Sequence, residues 1–232
     1  MIFRQLFDAA SSTYTYLLAD ADSRDAVLID PVLEHTDSYL RLLAELELQL
    51  VLALDTHVHA DHITALGRLR ERTGAVTGMS DRAQSDCVSR RLADGERLPF
   101  GRHALTVMHT PGHTDDSLSF YLDEDGRRMV FTGDTLLIRG TGRTDFQNGD
   151  AGCQYDSLFG RLLALPGDTE VFPAHDYKGW TTSTIAEERR HNPRLQVADR
   201  AAYVALMGSL KLPDPALMDI AVPANQACGH RS

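Results

Sequence analysis

Three imidazoles and a carboxylate fall within one seven-residue stretch, Thr56-His57-Val58-His59-Ala60-Asp61-His62. Neutral imidazole and carboxylate together suit borderline cations such as zinc, iron, manganese or nickel. The preceding Leu50-Val51-Leu52-Ala53-Leu54 is a short apolar run of the kind a buried strand makes. Beyond the stretch, Ile63, Leu66 and Leu69 recur at helical spacing until Gly74, which reads as a C-cap. The strand end sets His57 and His59 on one face, because side chains two apart point the same way. The helix start then returns Asp61 and His62 towards the same point. A histidine-rich surface turn with Asp61 as helix N-cap is the bland alternative. Three histidines in six residues at a strand–helix junction are better explained by a metal site.

The same juxtaposition recurs downstream. A strand over 104–109 ends at Thr110-Pro111-Gly112-His113, one over about 128–133 ends at Thr132-Gly133-Asp134, and Glu170-Val171-Phe172 stops at Pro173-Ala174-His175. Four strand ends carrying ligand-type side chains describe a site at one edge of a sheet sandwich. Around them, residues 2–7 and 13–19 read as strands joined by the turn Ala9-Ala10-Ser11-Ser12, and a third strand over 26–31 is stopped by Pro31. An amphipathic helix follows at roughly 36–47, short apolar pieces at 75–79, a strand at about 117–122 and a helix near 154–165. The tail, about 183–221, reads as mostly helical, broken by Pro193, Pro213 and Pro215. There is no internal repeat or linker. Alternating strands and helices favour an α/β layered sandwich, with residues 1–232 as one domain.

The net charge of −10 and the lack of any Lys/Arg block argue against nucleic acid and against anionic membrane surfaces. Cys87, Cys153 and Cys228 are widely spaced, odd in number and form no CxxC. That pattern fits a reducing compartment without a disulfide framework, with Cys228 the thiol to watch for oxidation. The first eight residues lack a basic segment followed by an apolar one, so a cytoplasmic location is expected. His35, His103, His191 and His230 fall outside the motifs and read as solvent-facing or capping, His109 lies close enough to Thr110-Pro111-Gly112-His113 to approach the site but outside the motif, and Asp115-Asp116 read as the start of a turn.

The ordered set His57-x-His59-x-Asp61-His62, His113, Asp134 and His175 resembles the metallo-β-lactamase superfamily over roughly residues 13–180. The resemblance implies an αββα four-layer sandwich with the metal site at one edge of the sheets. Two further stretches resemble the persulfide dioxygenases of that superfamily: Gly140-Thr141-Gly142-Arg143-Thr144-Asp145-Phe146-Gln147, and the tail from His175-Asp176-Tyr177 through Asn192-Pro193-Arg194-Leu195 to Ala221-Val222-Pro223-Ala224-Asn225. This family resemblance implies one Fe(II) per chain held by His57, His113 and Asp134, a 2-His-1-carboxylate face that leaves room for O2 and a substrate sulfur together. His59, Asp61, His62 and His175 are then supports around the ligands.

The implied reaction oxidises glutathione persulfide with O2 and water to glutathione and sulfite, without a protein nucleophile. The tripeptide part of that substrate is anionic, so Arg143, Tyr177, Arg194 and Lys178 are candidate contacts. Related proteins also suggest a homodimer. The same seven ligand-type residues equally form the dinuclear set of glyoxalase II, a hydroxyacylglutathione thioester hydrolase. Only about 57 residues follow His175, short for the helical glutathione domain usual in that enzyme. A non-catalytic metal-binding module is the third reading, against which the intact ligand set argues.

Overall fold

The computed structural model describes residues 1–124, 126–211 and 218–229, so the expectations at Pro213, Pro215 and His230 lie outside the described residues. The chain divides into two compact units. The first holds Met1–Ala93, Arg97–Leu105 and the C-terminal helix; the second holds Asp94–Glu96 and residues from Thr106 through the second helical segment of the tail.

The first unit opens on the hairpin of β1 (Ile2–Asp8) and β2 (Thr13–Ala19), closed by a turn in which Ser12 adopts φ 63°. β3 (Asp25–Ile29) adds antiparallel to β2. α1 (Thr36–Glu45) then carries the chain back so that β4 (Gln49–Leu54) lies parallel to β3. α2 (Leu66–Thr73) does the same for β5 (Val76–Ser80), and β6 (Arg90–Leu92) extends the parallel half. Parallel neighbours require such crossovers, which is why apolar runs and amphipathic helices alternate here. β2 is buried along its whole length, as a covered sheet demands. Leu17, Leu28, Leu43, Ala53, Leu66 and Met79 belong to one apolar cluster beneath it. β7 (Arg97–Phe100) closes this part of the chain.

β8 (His103–His109), of which the residues from Thr106 on belong to the second unit, forms an antiparallel meander with β9 (Leu118–Glu124) and β10 (Arg127–Gly133). α3 (Ala151–Gly160) leads to β11 (Glu170–Pro173), parallel to β10, and β12 (Ser183–Thr184) pairs antiparallel with β11. α4 (Ile185–His191) and α5 (Arg200–Gly208) follow, and α6 (Met218–Gln226) returns to the first unit. The sheet orders are β1-β2-β3-β4-β5-β6 and β12-β11-β10-β9-β8-β7, both mixed. Asp150, Thr184 and Asp199 cap α3, α4 and α5 by accepting from the backbone N–H three residues on. Asp150 moves the expected helix near 154–165 upstream; it ends at Gly160 and gives way to a 3-10 turn at Leu162–Ala164.

Two expectations are corrected. The helix after the histidine stretch starts at Leu66, not at Asp61, and its N-cap residue is Ala65. The intervening backbone is captured elsewhere: Leu33 N–H donates to Ile63 O, Ala65 N–H to Pro31 O, and Val32 bridges Thr64. Asp61 is therefore a loop residue and not the N-cap of α2. Second, Cys87 and Cys228 are disulfide-bonded across 141 residues of sequence, leaving Cys153 as the free thiol. Spacing along the chain carries no information about a pair brought together by the docking of α6. The cysteines thus lend no support to a reducing compartment, and no helix among the described residues is long and apolar enough to cross a membrane.

The disulfide sets a test. Unfolded under non-reducing conditions, the protein should release one titratable thiol per chain, and a count of three would show the pair unformed. Cys228→Ser should lower the free energy of urea unfolding by roughly 2–4 kcal/mol.

Candidate metal centre

In the first unit the histidine loop follows β4 and is held from below by Asp30. This aspartate ends β3 with φ 52°, a left-handed conformation that Asp tolerates better than bulkier residues. Its Oδ1 accepts the Thr56 N–H at 2.7 Å and its Oδ2 accepts the Thr56 hydroxyl at 3.0 Å. With that hydroxyl proton committed to Asp30, Thr56 Oγ1 accepts from His57 Nδ1 at 3.0 Å. The arrangement leaves His57 Nε2 with the lone pair that a cation needs. His59 packs its ring 4.1 Å from that of His57 and sets Nε2 3.1 Å from Asp30 Oδ1. Burial alone would depress the basicity of His59. The Asp30 charge and hydrogen bond, helped by Asp61 and Asp55, instead raise its pKa to about 9.

His59, Asp61 and His62 bring one donor atom each within 4.8 Å of one another, and Asp30, Asp55 and His59 do likewise. Asp61 Oδ2 lies 2.8 Å from His62 Nδ1. The loop is clamped by Asn225 of α6, whose amide donates to His59 O and His62 O and accepts the Thr64 N–H, each at 2.8 Å. Asn225 is fully buried and satisfies three backbone groups that no strand or helix pairs.

In the second unit the parallel register of β10 and β11 decides the pairing of Asp134 with His175. Phe131 lies opposite Phe172 and Gly133 opposite Pro173, so both strands end together. His175 Nδ1 then sits 2.7 Å from Asp134 Oδ1. The other carboxylate oxygen, Oδ2, lies 3.6 Å from His113 Nε2, longer than a hydrogen bond. Two donors each ~2.1 Å from a shared cation stand about 3.0–3.4 Å apart, so this pair is spaced for one. His113 Nδ1 donates to the Arg143 carbonyl at 2.8 Å, which again reserves Nε2 for a ligand.

That carbonyl is placed by the 140–147 loop. Gly142 N–H donates to Asp134 O at 2.7 Å, and a Cβ at Gly142 would fall 2.3 Å from that oxygen and 2.8 Å from His113 Nδ1. Only glycine allows this approach. Asn192 donates to Gly140 O, and the Tyr203 hydroxyl donates to Gln154 Oε1 at 2.7 Å while lying 3.3 Å from Thr141 Oγ1.

The substrate candidates are placed as follows. Arg143 pairs with Asp145 at 2.7 Å and lies 4.2 Å over the Phe146 ring. Tyr177 is 71% exposed and stacks flat on His175 with ring centres 6.0 Å apart. Arg194 donates to Thr141 O and Oγ1, from beneath the loop. Lys178 is exposed, and its N–H donates to Asp176. His109 meets Asp115 O, and Asp115 and Asp116 form a turn. Asp30, Thr56, Gln154 and Asn225 were not singled out as site supports from the sequence. Asp30 did carry the signal that revealed Asp134, a carboxylate at the end of an apolar strand.

The profile of the metallo-beta-lactamase superfamily matches residues 9–85 and 89–193. The chain belongs to this superfamily. Human persulfide dioxygenase ETHE1, mitochondrial, is 47% identical over 99% of this chain and 89% of its own length. The crystal structure of ETHE1 from Myxococcus xanthus matches with a TM-score of 0.95 at 55% identity, covering 99% of this chain and 100% of that one. A hydroxyacylglutathione hydrolase of Francisella tularensis is 33% identical over 87% of this chain and 79% of its own length. Within the superfamily the chain falls in the family of ETHE1-like persulfide dioxygenases, and its two mixed sheets with helices are the metallo-β-lactamase fold expected from the sequence.

Asn225→Ala frees three backbone groups of the histidine loop. It should weaken metal retention about 10–100-fold in a chelator competition, with the far-UV spectrum preserved. Unchanged retention would show that the clamp does not shape the site.

Proposed function

We propose that this chain is a persulfide dioxygenase that oxidises glutathione persulfide with O2 and water to glutathione and sulfite. One Fe(II) per chain is held by His57, His113 and Asp134, with the two units acting as a single domain. The reading is carried by the similarity to persulfide dioxygenases running through the tail as well as the ligand motifs. The donor set fits the metal: each of the two histidines has Nδ1 engaged by an oxygen, leaving Nε2, and Asp134 has one oxygen on His175. When bound, ferrous iron supplies electron density to O2 and a neighbouring position for the persulfide sulfur.

The protein's own residues supply the rest. Asp30 through Thr56, the Arg143 carbonyl and His175 hold the three ligands in fixed orientation, so the metal face does not reorganise between turnovers. Arg143 and Tyr177 orient the anionic tripeptide, with Lys178 at the periphery, and Arg194 acts through Thr141. His59, paired with Asp30, supports the loop, and Asp61 and His62 support it and receive protons. A homodimer and a cytoplasmic setting complete the proposal, although the human relative is named mitochondrial.

The second reading is a thioester hydrolase with two metals, favoured by the grouping of His59, Asp61 and His62 donors within 4.8 Å. Metal content and oxygen uptake measured on one preparation separate the two. Persulfide oxidation predicts about one iron per chain and O2 consumption with glutathione persulfide. Two metals per chain, with S-lactoylglutathione hydrolysed and no O2 consumed, would overturn it. Asp134→Ala should cut O2 uptake by roughly 100-fold or more and lose the iron. A variant retaining both would sink the ligand assignment.

A further inference from the structure

A line of short hydrogen bonds leaves the histidine loop on the side of the β1–β2 turn. Asp61 Oδ2 is 3.1 Å from the Thr13 hydroxyl, which is 2.6 Å from the Ser11 hydroxyl, which is 2.6 Å from Asp8 Oδ2. Asp8 Oδ1 in turn meets His35 Nε2 at 2.9 Å, and the His35 side chain is 39% exposed. His62 Nδ1 joins the inner end, 2.8 Å from Asp61 Oδ2 and 3.3 Å from Thr13 Oγ1. Thr13 is fully buried, and Asp8 and His35 line a cleft of about 420 Å³ between β1 and α1.

The proton count gives the line its meaning. Three oxygen–oxygen links join carboxylate, hydroxyl, hydroxyl and carboxylate, yet the two hydroxyls own only two protons. When Thr13 donates to Asp61 and Ser11 donates to Asp8, no proton remains for the 2.6 Å link between the hydroxyls. One additional proton fills the line, and it can be written at either end. A proton arriving on Asp61 passes to Thr13 Oγ1 as the Thr13 proton moves to Ser11 Oγ and the Ser11 proton to Asp8 Oδ2. Each transfer breaks one O–H bond and forms another, with no change of oxidation state. Asp8 stays ionised, so a proton that reaches it is not held there but passes on at the cleft. Burial would raise its pKa, but the Ser11 hydroxyl and N–H, His35 and the Ala10 N–H lower it to about 2.

We propose that Asp61, Thr13, Ser11 and Asp8 form a proton wire that carries product protons from the histidine loop to the cleft at His35. The inference rests on the persulfide dioxygenase reading for its need. Persulfide, O2 and water give thiol and sulfite dianion, the outer sulfur yielding four electrons to O2, and two protons are released per turnover. With an anionic tripeptide in the mouth of the site, those protons require another exit. The wire lies wholly in the first unit and uses none of the three proposed iron ligands.

Ser11→Ala removes one hydroxyl from a turn while leaving the backbone bond from Ser11 N–H to Asp8 available. In iron-loaded protein at low buffer concentration, turnover should fall about 10-fold. It should recover as a bulky tertiary-amine buffer is added, and Ser11→Thr should match the parent. A curved proton inventory in mixed H2O/D2O should become linear in Ser11→Ala and in Asp8→Asn. Metal-free protein supplies a readout independent of turnover: the buried Thr13 hydroxyl proton should give a slowly exchanging, downfield resonance that shifts in Ser11→Ala and stays in Ser11→Thr. Should Ser11→Ala keep the parental inventory, buffer response and resonance, the wire is overturned. Absence of O2 uptake by the parent protein sinks the persulfide reading instead, and the metal-free resonance then still decides whether the hydroxyl line exists.

Discussion

The hydrogen bond from the His113 ring to the Arg143 carbonyl is the contact on which most of the second unit converges. A histidine on a loop can present either nitrogen, and a cation is bound only by the one left unprotonated. Giving Nδ1 a carbonyl acceptor settles the matter, but only if the carbonyl arrives at the ring edge. That approach requires Gly142, because any Cβ there would strike the Asp134 carbonyl and the same imidazole. The loop must then be held from outside, by Asn192 on Gly140, Arg194 and Tyr203 on Thr141, and Gln154 on Gly142. Asn192 is itself fixed by Glu188, a buried carboxylate that also binds Arg139 and Ser183. Breaking this polar core at any member leaves a buried partner unsatisfied, so the network specifies one loop geometry. The tail helices thereby govern which nitrogen of a distant histidine faces the site.

Much of this was legible in the sequence because strand ends are legible. Apolar runs bounded by Thr-Pro-Gly, Thr-Gly and Pro-Ala located β8, β10 and β11, and the residues after them are His113, Asp134 and His175. Strands of three or two residues, such as β6 and β12, left no periodic trace, and the charged Arg90-Arg91 pair in β6 masked it further. The start of α2 was misplaced for a different reason. Asp61 has the side chain of an N-cap, but long-range bonds to Pro31 and Leu33 use the backbone that a helix would need. Local capping preference is worth about 1 kcal/mol, and several tertiary hydrogen bonds outweigh it.

The supports of the histidine loop were illegible for a reason of distance. Asn225 lies more than 160 residues from the carbonyls it binds, and although its stretch carries part of the family resemblance, nothing local ties it to the histidine loop. The cysteine pair has the same character: Cys87 and Cys228 meet only because α6 docks back on the first unit. Both contacts anchor the same helix, one by a covalent bond and the other by three hydrogen bonds to the loop. Cys228 O also accepts the Gly67 N–H, tying the turn after α6 to the first turn of α2. The C-terminal segment is thus a structural part of the histidine loop, and a reading centred on the ligand motifs alone misses it.

The superfamily motif says little about how many metals a member uses, because the same side chains can serve as ligands or as supports. The surroundings discriminate better than the residue types. Asp30 accepts from Thr56 and faces His59 Nε2, so His59 is drawn towards the protein interior. Asp61 and His62 meet Thr13, whose hydroxyl continues outward to Ser11 and Asp8. Side chains committed to carboxylates and hydroxyls in this way are costly to recruit for a second cation, since each contact must be broken or shared. They are, by the same commitment, well placed to pass protons. Ligand-type residues that look redundant in the sequence therefore gain a different use from their partners, and the hydrogen bonds behind a metal site decide its chemistry as much as the atoms in front of it.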